Sequence, residues 1–164
     1  MLSFAALEDT RGQLLSSLPA KARWLLGETP LEWRFERAQQ PLQPLTSADI
    51  SSGAIPAHWL PIHIFGEYSY ADGGGATAFL GIDIQTGQVR GLDVERDDSS
   101  AVFLLNSTVQ QFIDTFLLFS HVLVHRSEAV AELAANAKAI DPAVFPNSSW
   151  RVLADHVETL PIRA

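Results

Sequence analysis

Strict alternation marks the clearest element of the chain. In LEWRFER, Leu31, Trp33 and Phe35 fall on one side, and Glu32, Arg34 and Glu36 on the other. That is the pattern of a half-buried strand. Before it, Leu14, Leu15 and Leu18 fit one face of a helix. Pro19 can open a second short helix, with Trp24, Leu25 and Leu26 as its apolar residues and Gly27 as its stop. After the strand, Pro41, Pro44 and a Ser/Gly stretch up to Gly53 predict a surface connection.

The middle of the chain predicts a meander. LPIHIFGEYSY supplies a strand in which Ile62, Ile64, Tyr68 and Tyr70 alternate around Gly66. ATAFLGIDI and QVRGLDVER predict two more, joined by a three-residue loop, Gln85-Thr86-Gly87, with Gly87 left-handed. That register sets Leu80 opposite Leu92 and Ala78 opposite Val94, as one apolar face. AVFLL predicts a further strand. Asn106 or Ser107 then caps a long helix carrying Val109, Phe112, Ile113, Phe116 and Leu117 at helical spacing. EAVAELAANAKAI predicts an alanine-rich helix, broken by Asp141-Pro142 and Pro146. Ser148 or Ser149 caps a last helix, in which Trp150, Leu153, Ala154 and Val157 share one face. Helices, then antiparallel sheet, then helices, is an α+β order.

Composition narrows the class. A chain of 164 residues, 47% hydrophobic and 18% charged, fits one globular domain over 1–164. It has no cysteine, which excludes disulfides and thiolate metal sites. The most apolar stretch, Phe116 to Val124, is interrupted by Ser120 and His121 and is far short of the ~20 apolar residues that span a bilayer. The start lacks the basic region and apolar run of a signal peptide. A soluble, cytoplasmic protein without membrane contact is expected. The N-x-S/T triplets at Asn106 and Asn147 then read as helix caps rather than glycosylation sites.

The net charge of −8 is unevenly placed. Seven acids (Glu67, Asp72, Asp83, Asp93, Glu95, Asp97 and Asp98) face only Arg90 and Arg96 between positions 67 and 98. Such a segment repels nucleic acid and favours a basic partner, or else simply keeps the surface soluble.

Candidate chemistry is sparse. Gly73, Gly74 and Gly75 invite a phosphate loop, which needs a helix N-terminus after the glycines and a lysine followed by Ser or Thr. Here a strand pattern follows, no lysine lies between Lys21 and Lys138, and Asp72 would repel the anion. A hairpin turn is the better reading. His121 and His125 stand four apart on a helix and could reach one metal, but Val122 occupies the place of the zincin glutamate. Packing explains them better, and no metal or cofactor is expected. His58 and His63 also read as structural. Asp83, Asp93 and Glu95 offer paired carboxylates, with Asp83 and Asp93 on one face in the register above. Acids are common on the solvent side of a hairpin. With no G-x-S-x-G elbow and no cysteine nucleophile, no enzymatic site is expected. Trp24, Trp33, Trp59 and Trp150 read as core or rim packing, since an RNA-stacking platform wants basic neighbours.

Three pieces resemble the SUKH superfamily, its fourth branch most: the proline-led entry at Ile55-Pro56, the hairpin LGIDIQTGQV, and LLNSTVQQFIDTF with Phe112 and Phe116. The likeness spans about residues 55–119, and the N-terminal LEWRFERAQQPLQPL departs from it. The resemblance implies a single α+β domain with a central, curved antiparallel sheet and helices before and after it. It implies a bacterial immunity protein, which binds and neutralises a toxin, often a nuclease or deaminase, and no catalytic residue. An intracellular regulatory or scaffold module is the alternative. On the first reading Asp72, Asp93, Glu95, Asp97 and Asp98 are the candidate contacts for a basic toxin.

Overall fold

The computed structural model describes residues 2–26, 29–35, 62–70, 77–96, 98–125 and 131–158. Helix α1 (Phe4–Ser17) leads into six strands: β1 (Lys21–Leu26), β2 (Thr29–Phe35), β3 (Ile62–Tyr70), β4 (Ala78–Asp83), β5 (Val89–Asp93) and β6 (Val102–Asn106). Helices α2 (Val109–His125), α3 (Leu133–Ile140) and α4 (Ser149–Glu158) follow. The strands form one antiparallel sheet in chain order, so the α+β expectation holds. Leu26 and Leu105, from opposite edge strands, line a single recess, which requires the sheet to curl.

The main core cluster lies on one face of the sheet, under α1, α2 and α4, and Ile62 and Leu92 are buried on the other. Leu7 and Leu14 come from α1, Phe112, Phe116 and Phe119 from α2, and Trp150, Ala154 and Val157 from α4. The three phenylalanines of α2 are fully buried. Burial of each contributes about 2–3 kcal/mol. By contrast the exposed Arg23–Glu32 pair, at 3.9 Å, contributes about 0–1 kcal/mol.

The predicted helix at Trp24 is instead strand β1. Its pairing with β2 runs from Lys21↔Arg34 to Leu26↔Thr29. Trp24 and Leu26 are buried while Lys21, Arg23 and Leu25 face solvent, a period of two that the run Trp24-Leu25-Leu26 conceals. Trp24 packs against Trp33 with the rings tilted by 54° and donates its Nε1–H to Ser120 Oγ at 2.9 Å. In β2, Leu31, Trp33 and Phe35 face the core as the alternation requires.

Strand β3 changes phase midway. The register shifts between Ile64 and Gly66, where a bulge turns Phe65 into the core against Phe35 and Phe112. Ile62 and Ile64 therefore face away from the helices, and Tyr68 and Tyr70 toward them. The sequence alternation alone places all four on one face. Gly66 is required at this point, because a Cβ there would stand 2.6 Å from the Arg34 carbonyl oxygen.

The β4–β5 register is also one residue from the expected one. Asp83 N–H donates to Gln88 O, leaving a four-residue loop, and Gly87 closes it at φ 76. Leu80 thus pairs with Gly91 and Phe79 with Leu92. Asp83 sets this geometry: its Oδ1 accepts from the N–H groups of Gln85 and Thr86, and its Oδ2 from Arg90 Nε at 2.9 Å. A one-residue shift moves every side chain of β5 to the opposite face.

Thr108, not Asn106 or Ser107, caps α2. Its Oγ1 accepts from Gln111 N–H at 3.1 Å and donates to Gln111 Oε1. Asn106 and Ser107 serve a buried node. Asp141, at the C-terminal end of α3 and 2% exposed, accepts from Asn106 Nδ2, Ser107 N–H and Ser107 Oγ at 3.2, 2.7 and 2.8 Å. Asn106 Oδ1 in turn accepts from Trp150 Nε1 at 2.9 Å. Asp141→Ala leaves buried donors without an acceptor and is expected to cost about 2–4 kcal/mol in urea unfolding. A loss within experimental error would show that the node does not hold the helices.

Candidate functional site

The glycines Gly73 to Gly75, together with Asp72, Asp97, His58 and Trp59, lie outside the described residues. The segment that carries the glycines joins antiparallel strands β3 and β4, and β4 supplies no helix N-terminus for a phosphate. His121 is exposed on α2, and nothing is described of the His125 side chain. Among the described residues no group of three or more His, Asp or Glu side chains could hold a metal. Nor is any described helix long and apolar enough to cross a membrane.

The acids of the middle segment do not share a face. Glu67 and Asp83 project from the side opposite the helices, Asp83 bound to Arg90 and Glu67 opposite Arg34. Asp93 projects to the helix-covered side, so the expected pairing of Asp83 with Asp93 is lost to the register shift. Asp93, Glu95 and Asp98 do gather, at the turn between β5 and β6. Asp93 Oδ1 accepts from Glu95 N–H and its Oδ2 lies 3.6 Å from Arg96 Nε. Asp98 Oδ1 accepts from Ser100 N–H and Ser100 Oγ. Glu95 and Asp98 are exposed.

This turn adjoins an aromatic recess. Tyr68 pairs with Ala78, and Ala78 with Asp93, so the small alanine leaves the phenol and the carboxylate on one side of the sheet. The register partners Trp33–Tyr68 and Leu31–Tyr70 form the floor of the recess. Leu26 and Leu105 close its sides, and Trp150, Val152, Leu153 and His156 of α4 form the far wall. Its volume is about 560 Å³. The Trp33 and Tyr68 ring centroids are 5.1 Å apart, and the Trp33 and Trp150 rings lie 5.8 Å apart, 12° from parallel. Tyr70 and Val152, at its mouth, are 43% and 71% exposed.

Burial shifts two titrating groups of β3, Tyr68 in the recess and His63 beside α1. Burial pushes the Tyr68 phenol up to about 12, helped by Tyr70 and Asp93. Burial, then the nearby Arg11 cation, lowers the His63 imidazole below its ordinary value, so His63 is held neutral in the core. The recess escaped the sequence reading because Trp33, Tyr68 and Trp150 look like ordinary core positions. Only the tyrosines at the end of a strand offered a signal.

No known family matches the chain, and no curated protein or solved structure does either.

A raised tyrosine pKa favours the folded state below the unfolded value near 10, and that contribution is lost as pH rises toward about 12. The expected loss across this window is about 2–3 kcal/mol. Tyr68→Phe should flatten the alkaline limb of the stability curve, and phenolate absorbance should lose its latest-titrating group. An unchanged curve would contradict this assignment.

Proposed function

We propose that the protein is an immunity-type binding protein, cytoplasmic and without catalysis of its own, that neutralises a basic bacterial toxin by direct contact. The observation that carries this reading is the clustering of Asp93, Glu95 and Asp98 at an exposed turn beside the Tyr68–Tyr70 side of an aromatic recess. An acidic rim beside an apolar centre is the common build of a protein interface. The carboxylates accelerate encounter with a basic partner, and the rings supply contact area once it has docked. The likeness of the central segment to SUKH immunity proteins supports the same choice of partner. Asp72 and Asp97 extend the proposed contact in sequence.

Charge can be tested apart from structure, because asparagine keeps the acceptor that each turn needs. A variant carrying Asp93→Asn, Glu95→Lys and Asp98→Asn should fold normally. It should associate with a basic toxin domain recovered by pull-down about 10-fold more slowly at low salt. Raising the salt should narrow the gap, since exposed charges are screened within about 8 Å at physiological ionic strength. Wild-type protein co-expressed with that toxin should protect the cell. Association at the wild-type rate in low salt would leave the acids a solubilising surface only.

A further inference from the structure

We propose that the recess between the Tyr68–Tyr70 end of β3 and helix α4 is an anchor pocket for one arginine side chain of the basic partner. The inference rests on the toxin-binding reading only for the partner's basic character, and adds which group docks and where.

The lining supplies the first constraint. Tyr70 and Val152 are exposed at the mouth, and Tyr68 and Leu153 are half-buried, so a guest meets mostly tyrosine rings and aliphatic carbon. The Tyr68 and Tyr70 ring centroids are 6.5 Å apart, with the rings at 85° to each other. A ring face attracts a cation within about 6 Å of its centroid. At the observed spacing one cation can lie within that range of both rings. The cavity of about 560 Å³ has room for a complete side chain.

The field at this end of the recess favours the same guest. Tyr68 pairs with Ala78 and Ala78 with Asp93, which puts the carboxylate on the phenol's side of the sheet. Its charge reaches the ring: burial first, then Tyr70 and Asp93, hold the proton on Tyr68. Glu95 and Asp98 stand exposed at the same turn, and Arg96, 3.6 Å from Asp93, offsets only one charge there. Apart from His156, the described lining carries no basic side chain to repel a cation. An anion would be opposed by Asp93, and a neutral guest would gain nothing from it. Arginine suits the mixture better than lysine. Its stem can lie on Val152 and Leu153, while its planar, weakly hydrated guanidinium stacks on a ring with less desolvation cost than a compact ammonium.

The tripeptide N-acetyl-Gly-Arg-Gly-amide and its citrulline counterpart match in shape and differ in charge, so they test the pocket without the toxin. Titrated into isotope-labelled protein, the arginine peptide should shift Tyr68, Tyr70 and Val152 saturably. It should bind about 10-fold more tightly than the citrulline peptide. Tyr70→Leu, which keeps an apolar wall but removes a ring, should weaken the arginine peptide about 3-fold, and Tyr70→Phe should restore it. Val152→Lys, at an exposed position of α4, should weaken the arginine peptide and spare the citrulline one. With the toxin domain itself, Tyr70→Leu should raise the dissociation rate, whereas the charge variant above slows association. Equal affinity of the two peptides, shifts that map outside the recess, or Tyr70→Phe binding no better than Tyr70→Leu would each overturn the pocket and leave the toxin reading standing. Arginine-selective binding without recovery of any toxin would uphold the pocket and count against that reading instead.

Discussion

Asp141 accepts three hydrogen bonds from the junction between β6 and α2, and it does so almost wholly out of water. Asn106, which it orients, passes the constraint to Trp150 in α4. Gln111 adds a second tie from α2 to the carbonyl of Ile140. The chain thus fixes where a long apolar helix leaves the sheet and where the last helix returns to it. Without that fixed return, Trp150 would have no set position against Trp33, and the far wall of the recess would not form. Apolar burial supplies most of the stabilisation, but it is non-directional. The polar node selects one arrangement among those that burial alone would permit.

The surface electrostatics work on a smaller scale. Asp93 and Asp98 stabilise their own turns through backbone N–H groups, and the Arg96 contact is too exposed to be strong. Their carboxylates nevertheless remain net negative at one edge of the recess. The same residues therefore shape the loop and set the field near Tyr68. Glu67 and Asp83, equally acidic in the sequence, contribute to the other face and are matched there by arginine.

Period and propensity made much of this legible. Strand β2, most of the helical faces of α2 and α4, and the α+β order followed directly from Leu31, Trp33, Phe35, Phe112, Phe116, Trp150 and Ala154, while Leu117, counted on the α2 face, is instead exposed. Other features turned on single residues. Leu25 is an exposed apolar residue inside an apolar run, so the period of two in β1 is hidden and the run reads as helical. The bulge at Phe65 and the extra loop residue before Gly87 each change a side-chain phase that pattern counting assumes constant. Ser120, which interrupts the apolar stretch of α2, has its reason only in three dimensions, as the acceptor for Trp24. Of the candidate contact residues, Asp93, Glu95 and Asp98 came together; the aromatic recess beside them was not visible, because buried aromatics carry no sequence mark of a nearby void.

Strand order that equals chain order has a consequence for how the molecule is assembled. Every pairing from β1 to β6 joins sequence neighbours, so the sheet can grow hairpin by hairpin with modest loop-closure entropy. Even the β2–β3 pairing, across the longest connection in the sheet, adds only a logarithmic cost. The outer edge, β1, presents Lys21 and Arg23, charges that discourage pairing with another chain while the sheet waits for its helices. The contacts from Asn106 to Asp141 and Trp150 span stretches of chain comparable to the β2–β3 pairing and join the sheet to the last elements of the chain. A newly synthesised chain would hold a formed sheet before α3 and α4 have emerged, its apolar face only partly covered until Trp150 arrives.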